Sequence, residues 1–393
     1  MLLEQIELKD YRAIATILSQ ELQKTAVERD LRAGLPTEEI EQLKASGLLS
    51  LVVPVEYDGA GAPWTDAFKI VQELSKADGS IGQLYGNHLN LITAPQLVGT
   101  PAQAKHYYRE TAQKNLFWAN AATMRDNRLK IAPDGNQYRV DGVKSFGTGV
   151  AVADYRIFSA VQDGVEMPRF FVIPGDRAGV TYNNDWHNMG QRRTASGNYT
   201  FHNVRVEQDE LLGPPDSPNS AFPTLLSIVA QLTKTYVYLG IAEGALETAM
   251  RYTAETAQPW LTSGVDRATQ DPYLMRQYGE FWVELQAAIA LADQAAQQLQ
   301  LAWGKGHALT HEERGRVAIT ISAAKVFASR AGLKIASGIF EVMGARATAG
   351  KYGFDRYWRD LRTFTLHDPV DYKLRDIGHW FLNHELPNVT PYS

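Results

Sequence analysis

The residues with the most chemical potential lie near the end of the chain, in Arg362-Thr363-Phe364-Thr365-Leu366-His367-Asp368-Pro369-Val370. A histidine titrates close to neutrality, so His367 can take or give a proton at physiological pH. Asp368 before Pro369, at the head of VDYKLRDIGHWFL, has the pattern of a helix N-cap followed by proline in the first turn. That structural use leaves His367 as the better chemical candidate. Upstream, Gly344-Ala345-Arg346-Ala347-Thr348 closes a predicted helix and offers backbone amides and a guanidinium suited to a phosphate, although a surface arginine in an ion pair would read the same way. His88, in LYGNHLNLI, stands on a helical stretch among apolar neighbours, where a lone histidine is more often a satisfied core residue.

Several chemistries are excluded. With no cysteine there can be no disulfide, thiolate nucleophile, iron-sulfur cluster or Cys-ligated zinc, so redox chemistry would need a bound organic cofactor, and a reducing cytoplasm is the simplest compartment. GTGVAV from Gly147 lacks the third glycine of a dinucleotide fingerprint, and His311-Glu312 continues as Glu313-Arg314 instead of completing a zinc motif. No Walker loop and no nucleophile elbow occur. Lys plus Arg (39) against Asp plus Glu (44), net charge -5, gives no basic block for nucleic acid. No apolar run approaches the roughly 20 residues that span a bilayer, so no membrane partner is expected.

These residues need elements to position them. From Ile6 to about Gln113 the pattern is helical, with LPTEEIEQLKASGLL reading as a helix stopped at Gly47. From Leu116 to about Gly213 short runs (FWANAAT, YRIFSAV, RFFVIP, NYTFHNVRV) are punctuated by Asp134-Gly135 and Asp163-Gly164, predicting a small antiparallel β domain. From Ser217 long helical patterns return, with Pro218 and Pro272 at helix starts, Thr310 with Glu313 as a capping box, and an Ala-rich face in ELQAAIALADQAAQQLQ. The expected fold is mainly α with a central β domain: an N-terminal helical domain at 1–114, a β domain at 115–215 and a C-terminal four-helix bundle at 216–393.

That order, with EYDGAGAPWTDAFKIVQELSKADGSIG, resembles the acyl-CoA dehydrogenase superfamily over essentially the whole chain. FEVMGARAT and YGFDRYWRDLRTFTLHDPVDYKLRDIG resemble its two-component (group D) flavin-dependent monooxygenase branch, that of the dibenzothiophene monooxygenases. The resemblance implies a homotetramer that binds reduced FMN, or FAD, between the β domain and the bundle. A separate NAD(P)H-dependent flavin reductase would supply the cofactor. The flavin would react with O2 to a C4a-(hydro)peroxyflavin and oxygenate a small apolar, organosulfur substrate to sulfoxide or sulfone.

It further implies Asn120 and Thr148 at the edge of the flavin ring, Thr148 standing where relatives carry Ser and supporting the peroxide, and Trp186 stacking on or walling off the ring. Strand-end capping and core packing are the structural alternatives for these three. Ala345, Arg346, Ala347 and Thr348 would hold the phosphate. Gln258, before Pro259-Trp260, replaces an arginine that the family uses on a neighbouring subunit's phosphate; Arg276 is the available substitute, with an ordinary helix-surface pairing as its alternative. His367 and His88 would be catalytic. His88, Phe146, Trp303 and Phe364 would line the substrate pocket, Phe364 where relatives often carry a second histidine. Asp368 falls near the place of the dehydrogenases' catalytic glutamate, which keeps open an acyl-CoA dehydrogenase with Asp368 as base, and beside it a non-catalytic scaffold.

Overall fold

The computed structural model describes residues 10–213 and 220–393; the expected helix start at Ile6 and those at Ser217 and Pro218 lie outside the described residues. Six helices come first: α1 (Tyr11–Arg32), α2 (Thr37–Ser46), α3 (Trp64–Ala77), α4 (Gly79–Ile92), α5 (Ala94–Val98) and α6 (Pro101–Lys114). Gly47 ends α2 in the left-handed region at φ +74°, the stop signal anticipated from sequence. Asp78 starts α4 by accepting from the amides of Ser80 and Ile81.

Seven strands follow: β1 (Trp118–Ala121), β2 (Lys130–Asp134), β3 (Gln137–Lys144), β4 (Tyr155–Ala160), β5 (Arg169–Pro174), β6 (Val180–Tyr182) and β7 (Tyr199–Val206). They form two sheets, ordered β1-β4-β5 and β2-β3-β7-β6. The Asp134-Gly135 turn closes β2 on β3 with Gly135 at φ +64°. Among the named strands the ladders β2–β3, β3–β7, β4–β5 and β6–β7 are antiparallel, while β1 and β4 run parallel with the β2–β3 hairpin inserted between them as a crossover.

The second half holds α7 (Leu225–Glu255), α8 (Pro272–Gly304), α9 (His311–Met343), α10 (Asp355–Thr365) and α11 (Val370–Asn383). Pro272 occupies the first turn of α8 and the Thr310–Glu313 capping box opens α9, both as the sequence indicates. The three long helices pack with each other, and the two short ones together fill the fourth position of the bundle against α9. Gly240 lets α7 approach α3: a Cβ there would lie 2.3 Å from the Gln72 carbonyl oxygen. By length and composition α7 could cross a bilayer, against the expectation from sequence, yet 78% of its most apolar window is buried inside the protein, as in a core helix. One apolar cluster runs from Leu22 on α1 through Phe158 and Phe171 of the sheets to Leu361 on α10.

Candidate active site

His367 sits in the short connection between α10 and α11, its amide donating to the Phe364 carbonyl at 3.1 Å. Its Nδ1–H donates to Asp368 Oδ1 at 3.0 Å, which leaves the Nε2 lone pair free. The same carboxylate oxygen accepts from Lys325 Nζ on α9 at 2.5 Å, and Lys325 also donates to Gln231 Oε1 at 2.5 Å. Burial alone would raise the Asp368 carboxyl. The hydrogen bond from His367 and the ammonium groups of Lys325 and Lys234 outweigh it and hold the carboxyl well below the usual range. Desolvation, reinforced by Lys234, pulls His367 down to about 4 against the opposing pull of Asp368. The imidazole is therefore neutral at physiological pH and can accept a proton at Nε2.

Asp368 is not the N-cap of α11. Pro369 takes that place with no side-chain cap, because the carboxylate has turned inward to Lys325. Phe364 lies 7% exposed with its ring 5.5 Å from that of Tyr238 and 6.4 Å from the imidazole of His367, so it does share this site.

The second constellation lies on the β edge. Asn120 and Thr148 form an isolated β-bridge, and Asn120 Oδ1 accepts from Asn87 Nδ2 at 3.0 Å. Thr148 Oγ1 is 2.9 Å from Ser196 Oγ, which is 2.7 Å from Thr194 Oγ1, which donates to the Gln191 carbonyl at 2.8 Å. Each hydroxyl has one proton, so this fixed end sets the whole chain: Ser196 donates to Thr194 and Thr148 donates to Ser196. Thr148 then presents acceptor lone pairs outward. The Trp186 indole donates to the same Gln191 carbonyl at 2.8 Å.

Gln191, at φ +54°, is held by its amide donating to Asp360 Oδ1 at 2.5 Å, so the β edge is tied to the helix that carries Phe364 into His367. Burial and the neighbouring Asp78 carboxylate push Asp360 up to about 7.

Other expectations are corrected by the geometry. His88 is fully buried, its Nε2–H donating to Leu49 O at 2.7 Å and its Nδ1 accepting from the Trp118 amide at 3.0 Å; burial lowers it to about 4. With both nitrogens spent on backbone it can neither shuttle protons nor contact a substrate. Trp303 packs edge-on to Trp64 and Phe222 in an aromatic cluster between α3 and α8, the ordinary core use. Phe146, at φ +57°, is 63% exposed and is not part of the core.

Arg346 is exposed in the turn after α9, which begins at Gly344 (φ +79°), and enters no ion pair among the described residues; Ala347 beside it is buried and Thr348 Oγ1 donates to Ala345 O at 2.7 Å. Gln258 is exposed in the loop before α8, and Arg276 pairs with Glu280 one turn along the same helix at 2.7 Å.

Sequence reading missed Lys325, Lys234, Ser196, Thr194 and Asp360. A lysine inside an apolar helical stretch, as in LTKTYVYLG and SAAKVFAS, was the available signal for the first two.

Models of the acyl-CoA dehydrogenase N-terminal and C-terminal domains match residues 5–115 and 232–372. The chain is 44% identical to the probable FMNH2-dependent monooxygenase SfnC of Pseudomonas putida, over 97% of each chain. It is 45% identical to a dibenzothiophene monooxygenase of Rhodococcus erythropolis, over 95% of this chain and 94% of that one. The structure of the methanesulfinate monooxygenase MsuC from Pseudomonas fluorescens superposes with a TM-score of 0.95 at 43% identity, covering 98% of this chain and all of that one.

Proposed function

Because the chain belongs to the acyl-CoA dehydrogenase family, with FMNH2-dependent monooxygenases among its relatives at 44–45% identity, we propose that it is a reduced-FMN-dependent monooxygenase of small organosulfur compounds. The observation that carries this reading against a dehydrogenase is the state of Asp368. A carboxylate bound by Lys325 and His367 and held below its usual range is a poor base for an α-proton, whereas His367 beside it keeps a free, neutral Nε2.

The residues present fit a flavin. Asn120, Thr148 and Trp186 are each only partly buried, and Arg346 is an exposed guanidinium with no ion pair among the described residues, in a turn that opens at Gly344 (φ +79°). In this reading Asn120 and Thr148 edge the ring, Trp186 shields it and 345–348 hold its phosphate, with Gln258 a weaker contact. The segments 1–114, 115–215 and 216–393 act as subdomains with the cofactor between the last two. Bound reduced FMN supplies the reaction with O2. Around it, Thr148 accepts a hydrogen bond, His367 takes and returns a proton at Nε2, and Phe364 and Tyr238 exclude water.

Without a nicotinamide site of its own, the chain draws reduced flavin from a separate NAD(P)H-dependent reductase, working in a cytoplasm where its lack of cysteine is no handicap. Exposed apolar residues at Trp260 (74%), Leu261 (93%), Phe381 (73%) and Leu382 (75%) support assembly into a homotetramer. The test supplies photochemically reduced FMN with ¹⁸O2 to the protein and a panel of sulfides and sulfinates. Label in the sulfur-bound oxygen of a product is expected; bleaching of bound flavin by an acyl-CoA, with no labelled product, would restore the dehydrogenase.

A further inference from the structure

The turn that ties the β edge to the helices rests on a buried cluster of charges. Asp30 on α1, Glu39 on α2, Asp78 at the head of α4 and Asp360 on α10 are all buried. Asp30 pairs with Arg359 at 2.5 Å, Asp78 with Arg29 at 2.7 Å, and Glu39 with Arg29 at 3.1 Å and Arg193 at 2.8 Å. Asp360 alone of the four makes no ion pair among the described residues; its Oδ1 accepts from the amide of Gln191 at 2.5 Å. Its Oδ2 faces the first residue of α4, since a Cβ on Gly79 would lie 3.1 Å from it. Asp30, Asp78, Ser80, Arg193 and Arg356 line with Asp360 a small cavity of about 10 Å³, the room of one water.

The Gln191 turn is docked on α10. Arg359 donates to the Met189 carbonyl at 2.7 Å, a Cβ on Gly190 would stand 2.1 Å from the Arg359 carbonyl oxygen, and Gln191 Nε2 donates to the Asp360 carbonyl at 3.4 Å. Of these contacts only the amide bond to Asp360 ends on a group that changes charge near neutrality. The φ of +54° at Gln191 is disfavoured for a residue with a side chain, so the turn keeps its shape through what grips it. Its carbonyl accepts from the Trp186 indole and from Thr194 Oγ1, both at 2.8 Å, and the second leads through Ser196 to Thr148.

We infer that Asp360 is a positioning residue for the oxygen reaction: its gain or loss of a proton sets how tightly the Gln191 turn holds the Trp186 indole and the Thr148 hydroxyl. This rests on the flavin reading above and deepens it. In the neutral form the proton sits on Oδ2, because Oδ1 accepts from Gln191, and the bond to the turn joins uncharged groups. Losing that proton makes the bond charge-assisted, roughly twice as strong. The carboxylates of Asp78 and Asp30, which line the cavity on the Oδ2 side, repel the new charge toward the turn. Burial and Asp78 hold the carboxyl up to about 7, with Asp30 adding to the rise and the Gln191 amide and Arg359 opposing it. The other guanidinium groups are engaged, Arg29 and Arg193 with Asp78 and Glu39, Arg356 with the Tyr357 hydroxyl, and α7 meets Gly79 with the apolar Ile241. The turn is therefore held more tightly as pH rises through about 7.

The experiment is ¹⁹F NMR across neutral pH on protein labelled with 5-fluorotryptophan, the Trp186 signal being identified by its absence in Trp186→Phe. That signal should titrate with a midpoint near pH 7, with or without FMN bound, and should still do so in His187→Gln, which removes the imidazole next in sequence. In Asp360→Asn, whose amide stands in for the protonated acid, it should stay at the parent's acid-side position. In Asp78→Asn, where α4 keeps a capping oxygen and the strongest repulsion is gone, the midpoint should move to lower pH. With reduced FMN and O2, hydrogen peroxide released per flavin oxidised by Asp360→Asn, relative to the parent, should rise about threefold from pH 6 to pH 8. A Trp186 signal flat with pH, a titration that survives in Asp360→Asn or is lost in His187→Gln, or an unmoved midpoint in Asp78→Asn would overturn the inference. So would a peroxide ratio independent of pH. If the Trp186 titration is as stated but neither protein reacts with O2 differently from free reduced flavin, the oxygenase reading falls while the tie between Asp360 and Trp186 stands.

Discussion

Asp360 is 6% exposed, faces Asp78 and Asp30, and accepts from the amide of Gln191, the residue whose carbonyl anchors both Trp186 and the Thr148 hydroxyl chain. Asp360→Asn keeps an acceptor for that amide and removes the charge, while the new amide group can donate to a neighbouring carboxylate. The carboxyl is raised from 3.8 to about 7 in the folded protein. A raised acid contributes fully to stability only below its unfolded value, and that contribution is lost as pH rises toward the folded value. At about 1.4 kcal/mol per pH unit, roughly 4 kcal/mol is lost between pH 4 and 7, with little further change above. Asp360→Asn escapes this loss. Its advantage over the parent in urea unfolding should therefore grow by about 2 kcal/mol from pH 5 to pH 7 and then level off. A difference that is flat with pH, or that shrinks as pH rises, would refute the assignment of Asp360 as a buried acid titrating near neutrality.

Replacing His367 by Ala should lower turnover by about 10² while leaving FMN binding intact, since one positioned proton-transfer group contributes on that order; near-parental turnover would remove the imidazole from the reaction. Ser196→Ala deprives the Thr148 hydroxyl of its acceptor, a loss of about 1 kcal/mol. A fall in coupling of about fivefold, seen as hydrogen peroxide released per flavin oxidised, is expected, and an unchanged ratio would mean the chain does not orient Thr148. Light scattering should give the mass of four chains, with Leu261→Asp shifting it downward; a monomeric parent would contradict the assembly.

Much of the fold was legible because its signals are local. Gly47, Pro272 and the Thr310–Glu313 box mark helix ends through backbone chemistry that needs no tertiary partner. The parallel β1–β4 pair was not legible, since nothing in WANA or YRIFSA states which strand lies beside it. At the site, His367 and Phe364 were found together from one short segment. Asp368 was misjudged because Asp-Pro is a true capping pattern, overridden by a lysine 43 residues upstream that pairing brings within 2.5 Å. His88 shows the converse: residue type suggests chemistry, and two backbone partners from distant segments remove it. The Thr148–Ser196–Thr194 chain depends on the turn at Gln191, whose positive φ no residue type announces.

The central claim is that this chain uses reduced flavin to activate oxygen. Stopped-flow absorbance, mixing the protein loaded with photoreduced FMN under anaerobic conditions with oxygenated buffer, tests it most directly. The account predicts a transient whose spectrum differs from both oxidised and reduced flavin, decaying faster in His367→Ala. Direct return to the oxidised spectrum at the rate of free flavin, with no transient at any oxygen concentration, would contradict it.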